Sequence, residues 1–278
     1  MLTGAAALAG VIGWPIAHSR SPRLHNHWLA RHHIDGAYLP FPVHPDNLKI
    51  AIQGLRAAGL RGLNVTLPHK QAVMALCDHL DPSALRAGAV NTLVFTTSAT
   101  VGSNTDGAGF LANLQAHAVL PGPTLILGAG GAARAIAAAL LDAGAPVTIT
   151  NRTEARAQDI AAALPGLQTI PWPDRAAALP GKNLLINATQ LGMTGQPPLE
   201  MPLHLAPPTL VVADIVYAPL HTPLLQAAAA KNLRIVTGIG MLLHQAVPGF
   251  AKWFGLTPLV DQELEAAVLA LPVRHGRA

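Results

Sequence analysis

The sequence predicts an α/β protein of about two domains with parallel sheets. Strand and helix patterns alternate along almost the whole chain, which is the order that parallel sheets require. The length of 278 residues is enough for two cores. An apolar fraction of 51% with a charged fraction of 12% is typical of a globular chain and excludes a largely disordered one.

The charge and composition exclude several classes of function. The formal net charge of +4 suits anionic metabolites or cofactors, but no basic run interleaved with aromatic residues supports nucleic-acid binding. No apolar stretch of about 18 residues runs without Pro or polar breaks, so no membrane span is expected. The single cysteine, Cys77, excludes an internal disulfide and fits a reducing compartment such as the cytoplasm. We expect Cys77 to be a buried, inert thiol.

The first part of the chain alternates between strand and helix patterns. Residues 7–13 are an apolar run that suits a first core strand, and Pro22 suits the first turn of the following helix. Polar Asn64 and Thr66 alternate with apolar residues, as in a strand. We expect strands at 7–13, 37–43, 62–67, 89–95 and 99–103, and helices at 22–34, 46–58, from Pro68 onward and from about Gly107 to His117.

A second α/β run follows the turn Leu120–Pro123 and lasts from Thr124 to about Ile239. Its first strand, Thr124–Leu127, is apolar throughout and leads into an Ala-rich helix, because Ala is a good helix former. Its second strand is expected at Pro146–Thr150. We predict helices within 241–270 and a loose tail at 272–278.

The segment from Asn64 to Lys70 is the first candidate binding site. Pro68 cannot continue a strand ladder but suits a first helical turn, which leaves Lys70 near the exit of the strand. An amide, a hydroxyl and an amine from Asn64, Thr66 and Lys70 would therefore converge where a small hydroxylated molecule could bind. The alternative is a strand end followed by a surface lysine, and the segment alone does not decide between them.

A glycine-rich turn follows the strand Thr124–Leu127 and opens the Ala-rich helix. Gly128, Gly130 and Ala133 fit the pattern G-x-G-x-x-A in the strand–turn–helix context that it requires. The first glycine permits the tight turn, the second lets backbone approach a pyrophosphate, and the alanine allows close helix packing. The helix N-terminus offers free N–H groups to phosphates. The sequence therefore predicts a Rossmann-like dinucleotide site.

The end of the second strand of this run predicts NADP rather than NAD. An NAD site would place an acidic residue there, but this chain has Asn151 followed by Arg152, Thr153 and Arg156. Guanidinium groups favour a 2′-phosphate, which a carboxylate would repel. The alternative is a solvated helix start that Glu154 caps, with both arginines facing water.

Taken together, these segments resemble the shikimate dehydrogenase family, NADP-dependent enzymes that interconvert 3-dehydroshikimate and shikimate in aromatic amino-acid biosynthesis. The resemblance covers nearly the whole chain in the family's order. The matching segments are His18–Pro22, Asn64–Lys70, Gly88–Thr92, Asn104–Gly107, Gly128–Ala133, Asn151–Thr153, Asn187–Thr189, Asp214–Pro219 and Gly238–Leu242 with Gln245. Two positions depart from the family: Gln190 replaces a common serine, and His69 replaces an aromatic or apolar residue. Both could alter nicotinamide packing or substrate preference.

The resemblance implies a division into two α/β domains. Residues 1–106 and 240–278 would form the substrate domain, to which the C-terminal helices return. Residues 107–239 would form the inserted Rossmann-like NADP-binding domain. The substrate would bind in a cleft at the domain junction, with hinge closure over it. Small-molecule binding is expected, with no nucleic acid or membrane partner, in a monomer or a homodimer.

The resemblance also assigns roles to individual residues. Lys70 and Asp106 are the implied catalytic pair, and no metal is expected. The implied substrate contacts are Ser19, Ser21, Asn64, Thr66, Asn91, Tyr217 and Gln245. The implied cofactor contacts are Gly128, Ala129, Gly130, Gly131, Ala132, Asn151, Arg152, Thr153, Arg156, Thr189, Ile215, Gly238 and Met241. Ser21 before Pro22 suggests an N-cap followed by N1, so a carboxylate could bind at that helix start. Asp214 is expected to order backbone rather than to react.

The sequence alone leaves other functions open. A quinate or aminoshikimate dehydrogenase would share the same motifs, although two serines beside the carboxylate suit the flatter shikimate. A non-catalytic NADP-binding sensor would not need Lys70 and Asp106. Six histidines between His18 and His44 raise the question of a metal site, but exposed imidazoles on a helix flank are the favoured interpretation.

Overall fold

The computed structural model describes residues 2–270, so the tail expected at 272–278 lies outside the described residues. The chain divides into two compact units. The first contains the residues up to Asp78, Thr92–Val101 and those from Ala246 on, and the second contains His79–Asn91 and Gly102–Gln245. The domain boundaries inferred from the sequence stay a prediction. Residues 79–91 and 102–106, expected in the first domain, fall in the second unit.

The elements before residue 118 follow the expected order, except between residues 66 and 91. The strands are β1 (Ala7–Gly13), β2 (Gly36–Pro42), β3 (Gly62–Val65), β4 (His79–Leu80), β5 (Thr92–Phe95) and β6 (Thr100–Ser103). The helices are α1 (Ser21–Arg31), α2 (Leu48–Ala57), α3 (Pro82–Ala87) and α4 (Asp106–Ala116), with a 3₁₀ turn at Pro45–Asn47. Pro22 lies in the first turn of α1, as the sequence predicts.

The prediction of a helix from Pro68 onward is wrong. Residues 67–71 form turns, and a 3₁₀ helix follows at Ala72–Leu76. The backbone N–H of Met74 bonds the carbonyl of Gln71 three residues back. The buried His69 ring bonds the carbonyl of Val43 at 2.8 Å, which ties this turn to the end of β2. Tertiary contacts therefore override the helix signal of the proline.

The second α/β run extends from β7 to α8. Its elements are β7 (Thr124–Leu127), α5 (Gly131–Asp142), β8 (Val147–Thr150), α6 (Glu154–Ala163), β9 (Gln168–Thr169), β10 (Leu184–Asn187), β11 (Val211–Asp214), α7 (Pro223–Ala229), β12 (Arg234–Val236) and α8 (Ile239–Phe254). A 3₁₀ turn lies at Trp172–Arg175, and α9 (Gln262–Leu269) ends the described chain. Within residues 2–270, no helix is both long and apolar enough to cross a bilayer.

The first sheet has the strand order β2-β1-β3-β5-β6-β4. Strand β1 pairs in parallel with β2 and β3, whereas β3 pairs antiparallel with β5. The sheet is therefore mixed rather than purely parallel, because the segment between β3 and β5, which contains β4 and α3, returns the chain antiparallel beside β3. Asn64 lies opposite Val11 in this register, and Tyr38 lies opposite Ala9.

The second sheet has the order β12-β11-β10-β7-β8-β9, and its neighbouring strands all pair in parallel. This order confirms the Rossmann-like prediction. Strand β7 is central and buried throughout, so Ile126 packs into one apolar core and Leu125 and Leu127 into the other. Because β7, β8 and β10 are parallel, the loops after them leave the same edge of the sheet.

An aromatic cluster forms much of the core of the first unit. Trp28, Tyr38, Phe250 and Trp253 are all fully buried. The indole N–H of Trp253 donates to the carbonyl of Leu93 at 3.0 Å, which ties α8 to β5. These contacts hold α1, β2, β5 and α8 together, with the residues after β3 at the edge of the same sheet.

Candidate active site

The end of β3 carries the first group of expected site residues. Asn64 is buried within the strand, where its Oδ1 accepts from the Tyr38 hydroxyl at 2.6 Å and its Nδ2 donates to Thr92 Oγ1 at 3.3 Å. Thr66 follows the strand, and Lys70 is half-buried in the turn beyond it. Asn64, Thr66 and Lys70 thus lie in or shortly after β3, and their convergence on a bound molecule stays a prediction.

The start of α1 differs from the expected capping arrangement. Helix α1 begins at Ser21, so Arg20 is the N-cap residue and the predicted N-cap role of Ser21 is wrong. Arg20 already has helical dihedrals, with φ −91° and ψ −7°, which moves the boundary one residue earlier. The Ser19 hydroxyl accepts from the backbone N–H of Ser21 at 3.3 Å. Both serines therefore still lie at a helix N-terminus, where an anion is favoured.

Asp106 is the first residue of α4, and the second unit holds it in a dense hydrogen-bond network. The Asn91 Nδ2 donates to Asp106 Oδ1 at 2.8 Å and to Thr105 Oγ1 at 3.0 Å. The Asp106 backbone N–H donates to Asn104 Oδ1 at 3.0 Å. All four side chains are buried. The Asn91 amide, expected to touch substrate, also orients the carboxylate.

Gln245 on α8 belongs to the same network. Its Oε1 lies 3.4 Å from both Asn91 Nδ2 and Thr105 Oγ1. Gly109 allows this approach, because an added Cβ would lie 2.6 Å from the backbone and Cβ of Gln245. The sequence assigns no individual role to Asn104 or Thr105. Their buried polar side chains beside Asp106 show that they also build the site.

The glycine turn after β7 has the features that a dinucleotide needs. Gly128 has φ +109°, and an added Cβ would lie 2.9 Å from Thr189 Cγ2. Added Cβ atoms on Gly130 or Gly131 would meet nothing within 4 Å, so these glycines border open space at the N-terminus of α5. Ala133 is fully buried against the core. The residues present therefore fit a bound pyrophosphate.

The loop after β8 is exposed, as a site for the adenosine end of the cofactor requires. Asn151 Nδ2 donates to the carbonyl of Thr153 at 2.9 Å, which fixes the loop before α6. Arg152 and Arg156 are both exposed, and Thr153 is the N-cap residue without a side-chain capping bond. Glu154 is the first residue of α6 rather than its cap. Two guanidinium groups thus flank a helix N-terminus.

Buried Asp214 organises the loops after β10 and β11. Asn187 Nδ2 contacts both of its carboxylate oxygens at 3.0 Å, and Thr222 Oγ1 donates to it at 2.7 Å. The backbone N–H of Val216 donates to it at 2.9 Å. Burial raises the pKa of Asp214, and these hydrogen bonds oppose the shift. Asp214 thus orders backbone, as expected from the sequence.

The remaining expected cofactor residues lie around these loops. Thr189 bonds Asn187 Oδ1 through its hydroxyl at 2.7 Å. An added Cβ on Gly238 would lie 2.5 Å from Ile215 backbone, so these two positions are in contact. Met241 is mostly buried in the core of the second unit, and Tyr217 is half-buried. Ala129 and Ala132 flank the glycines and are partly exposed.

The histidine-rich stretch differs from its expected exposure. His25 is fully buried on α1, so its interpretation as an exposed imidazole is wrong. Its ring stacks on Tyr38 with centroids 4.0 Å apart, and burial lowers its pKa to about 3. Among residues 2–270, no group of His, Cys, Asp or Glu side chains is arranged to hold a metal ion.

Cys77 is half-buried rather than fully buried. Burial, and to a lesser extent the charge of Asp78, raises the pKa of its thiol to about 11. A thiol that stays protonated is a poor nucleophile, which agrees with the expected inert role.

Comparison with known proteins gives one family for the whole chain. The family model of the shikimate dehydrogenase substrate binding domain matches residues 11–93, and the model of shikimate / quinate 5-dehydrogenase matches residues 111–193. A shikimate dehydrogenase (NADP(+)) from Acidiphilium cryptum is 60% identical over 272 residues, which cover 97% of this chain and 98% of that protein.

Solved structures agree with the sequence relatives. Shikimate 5-dehydrogenase from Thermus thermophilus, in complex with NADP(H) and shikimate, has a TM-score of 0.86 and 38% identity, covering 94% of this chain and 98% of that one. Quinate dehydrogenase from Corynebacterium glutamicum, in complex with NAD, has a TM-score of 0.89 and 29% identity, covering 96% and 99%. The fold alone therefore does not separate the two substrates.

Proposed function

The chain belongs to the shikimate dehydrogenase family and is an NADP-dependent oxidoreductase acting on CH–OH, and we propose that Lys70 and Asp106 carry the proton transfer in its reaction. The reaction is the reversible reduction of 3-dehydroshikimate to shikimate, a step of aromatic amino-acid biosynthesis. The observation that carries this conclusion is the 60% identity along 97% of the chain to an NADP-dependent shikimate dehydrogenase.

The residues after β3 would bind the ring and supply the proton. NADPH, when bound, supplies the hydride that adds to the carbonyl carbon of the ketone. The Lys70 ammonium would deliver a proton to the carbonyl oxygen, so that the C=O group becomes CH–OH. In the oxidation direction, the neutral amine of Lys70 would accept the hydroxyl proton. Asn64 and Thr66 would hold ring hydroxyls at the same strand end.

Asp106 would act on a substrate hydroxyl as an acceptor and as the acidic partner of the lysine. Two hydrogen bonds fix this residue: its carboxylate accepts from Asn91 Nδ2, and its backbone N–H donates to Asn104 Oδ1. These bonds leave little freedom for the carboxylate, which is the preorganisation that proton transfer requires. Tyr217 and Gln245 are proposed to complete the substrate contacts.

The substrate carboxylate would bind at the N-terminus of α1. Ser19 and Ser21 place hydroxyls at the start of this helix, where the Ser21 N–H donates to the Ser19 hydroxyl. A carboxylate there is favoured by the helix dipole and by hydroxyl donors. The arrangement supports shikimate as the substrate, since quinate carries an additional hydroxyl beside the carboxylate.

The cofactor contacts are proposed along the edge of the second sheet. Gly128–Ala132 would receive the pyrophosphate, and Asn151–Thr153 with Arg156 the adenosine ribose and its 2′-phosphate. Thr189, Ile215, Gly238 and Met241 would line the nicotinamide end. Location in the cytoplasm is likewise a proposal, supported by a single unpaired cysteine.

A panel of four assays tests this function: shikimate and quinate, each with NADP and with NAD, followed through the absorbance of reduced nicotinamide. We expect turnover with shikimate and NADP to exceed every other combination in kcat/KM. Faster turnover with quinate would reassign the substrate. NADP binding without turnover of either compound would indicate a non-catalytic sensor instead.

A further inference from the structure

Tyr38 makes a short, fully buried hydrogen bond to a proposed substrate-binding side chain. Its hydroxyl donates to Asn64 Oδ1 at 2.6 Å, although the two residues lie on β2 and β3 with β1 between them. Tyr38 pairs with Ala9 and Asn64 pairs with Val11 in the sheet register. The small Ala9 lets the phenol ring cross β1 and reach the amide.

The Tyr38 ring is held from several directions. His25 stacks on it with centroids 4.0 Å apart and planes within 11°. The Tyr38 backbone is fixed as well, because its N–H donates to Asn26 Oδ1 at 3.0 Å and its carbonyl accepts from Asn26 Nδ2 at 2.8 Å. A hydroxyl on such a rigid ring has a defined position.

The hydrogen bond determines which end of the Asn64 amide faces which neighbour. The phenol donates its one proton to Oδ1, so the oxygen of the amide is turned toward Tyr38. Burial raises the pKa of the Tyr38 phenol, so the hydroxyl keeps its proton. The Nδ2 group, which has two N–H donors, is turned toward Thr92 Oγ1 at 3.3 Å.

We propose that Tyr38 is a positioning residue for substrate recognition: it locks the Asn64 amide so that a ring hydroxyl of the substrate meets the NH₂ group rather than the oxygen. This inference rests on the proposed function, in which Asn64 binds a substrate hydroxyl. Without the phenol hydroxyl, the amide can rotate and present its oxygen, which loses the donor that the substrate needs.

A double-mutant cycle in the full-length chain separates this role from a purely structural one. Tyr38→Phe removes the hydroxyl but keeps the ring stack, and Asn64→Ala removes the group that it positions. We expect Tyr38→Phe to raise the KM for shikimate about fivefold to tenfold, as for one lost hydrogen bond. We expect kcat and the KM for NADP to stay within about twofold. In the Asn64→Ala background, the same substitution should change the shikimate KM by less than about twofold.

Thr100→Val is the matched control, because it removes another buried hydroxyl of the first unit that bonds Arg56 and not Asn64. It should leave the shikimate KM unchanged even if it lowers the melting temperature. An equal rise in shikimate KM for Tyr38→Phe in both backgrounds would overturn the proposal, as would no rise in a folded variant.

A second variant covers the case in which Tyr38→Phe does not fold. Thr92→Val removes the acceptor of Asn64 Nδ2, and we expect it to raise the shikimate KM about threefold, again only when Asn64 is present. An Asn64-independent effect would contradict the positioning of the amide. Turnover of shikimate by the unmodified chain reports on the proposed function separately, so failure of one is not confused with failure of the other.

Discussion

Lys70 lies at the point where the first unit changes from strand to turn, and the proposed mechanism needs its amine to exchange protons with the substrate. The residue is half-buried. The turn that carries it is anchored by buried His69, whose ring bonds the Val43 carbonyl. An amine on a fixed turn can meet a ketone oxygen repeatedly in one geometry, which is what general acid catalysis needs.

Replacing Lys70 with Ala should therefore reduce turnover far more than cofactor binding. General acid–base groups contribute roughly a hundredfold to ten-thousandfold, so we expect kcat for shikimate oxidation to fall by about that range. The dissociation constant for NADP should stay within about twofold, since the glycine turn belongs to the other unit. Steady-state kinetics and a fluorescence titration of the cofactor measure the two quantities.

Lys49→Ala provides the control for this experiment, because Lys49 is an exposed lysine on α2 in the same unit. It should behave as the unmodified chain. Near-native turnover of Lys70→Ala would remove the lysine from the mechanism.

Arg156 makes the cofactor preference testable at a single side chain. It is exposed in the first turn of α6, beside the loop that Asn151 orders. Losing a guanidinium that binds a 2′-phosphate should raise the KM for NADP about tenfold or more, as for a charge-assisted bond. The KM for NAD should hardly change. Lys231→Ala, an exposed cation elsewhere in the second unit, is the control, and equal effects on both cofactors would refute the assignment.

Local signals predicted some site residues well and others poorly. Gly128 and Ala133 were predictable because a turn, a phosphate and a helix contact each impose a residue type within six positions. The contact between Tyr38 and His25 was not predictable, because nothing local in β2 or α1 indicates that these two rings will stack on each other. His25 in particular lies among histidines that are exposed or partly exposed, and only its packing against Tyr38 and Trp28 reveals its full burial.

At the scale of elements, α1 is bound to the sheet through this buried histidine. The rings around His25 belong to Trp28, Tyr38, Phe250 and Trp253, and Tyr38 is the titratable one among them. Its raised pKa keeps the phenol neutral. Burial dominates and lowers the pKa of His25 to about 3, although a hydrogen bond with Asn64 opposes the shift.

Stability should consequently fall with acid in a way that depends on His25. The pKa of His25 is about 3 in the folded chain, against an ordinary value of 6.5. Between these two pH values, the unfolded chain therefore binds a proton that the folded chain does not. The contribution is fully present above about pH 6.5 and is lost at roughly 1.4 kcal/mol per pH unit below it. Between about pH 6.5 and pH 5 this amounts to roughly 2 kcal/mol.

Urea unfolding at about pH 7 and about pH 5 measures this loss. His25→Phe keeps an aromatic ring but removes the titration, so its free energy of unfolding should change less between the two pH values. His204→Gln, at an exposed histidine, should follow the unmodified chain. Parallel pH dependence in His25→Phe and the unmodified chain would contradict the assignment.

Elements with long, regular patterns were the predictable ones. Strand β1 matches its expected range of 7–13, since a continuous apolar run has few alternatives. The region between β3 and β5 was not predictable, because a proline such as Pro68 suits the first turn of a helix and a non-helical turn equally well. There, the bond of His69 to Val43 decides the backbone, and that contact joins residues far apart in the sequence.

At the scale of the whole molecule, the alternation of strands and helices predicted the α/β class, but not where one unit ends and the other begins. Segments 79–91 and 102–106 pack with the second unit although their motifs read as substrate-binding. Asp106 illustrates the reason: its carboxylate accepts from Asn91, which also contacts Gln245, and these residues are brought together by tertiary contacts and not by sequence spacing.

The division of the chain also predicts where each ligand protects the backbone. NADP should slow deuterium exchange most in the peptides that span the glycine turn and the start of α5, and in the loop before α6. The reason is that ordered N–H groups at a helix start become hydrogen-bonded to phosphate. Shikimate alone should protect the start of α1 and the residues after β3 instead.

Mass spectrometry of peptides after exchange measures both patterns in one protein sample. The variant Arg156→Ala at the same free NADP concentration should lose protection in proportion to its lower occupancy, because only bound molecules are protected. Peptides from α9, which carries no proposed ligand contact, are the internal reference. If NADP protected the start of α1 while leaving Gly128–Gly131 unchanged, the assignment of the cofactor to the second sheet would be wrong. The glycines would then be explained by chain geometry alone, since Gly128 at φ +109° needs no ligand to be favoured there.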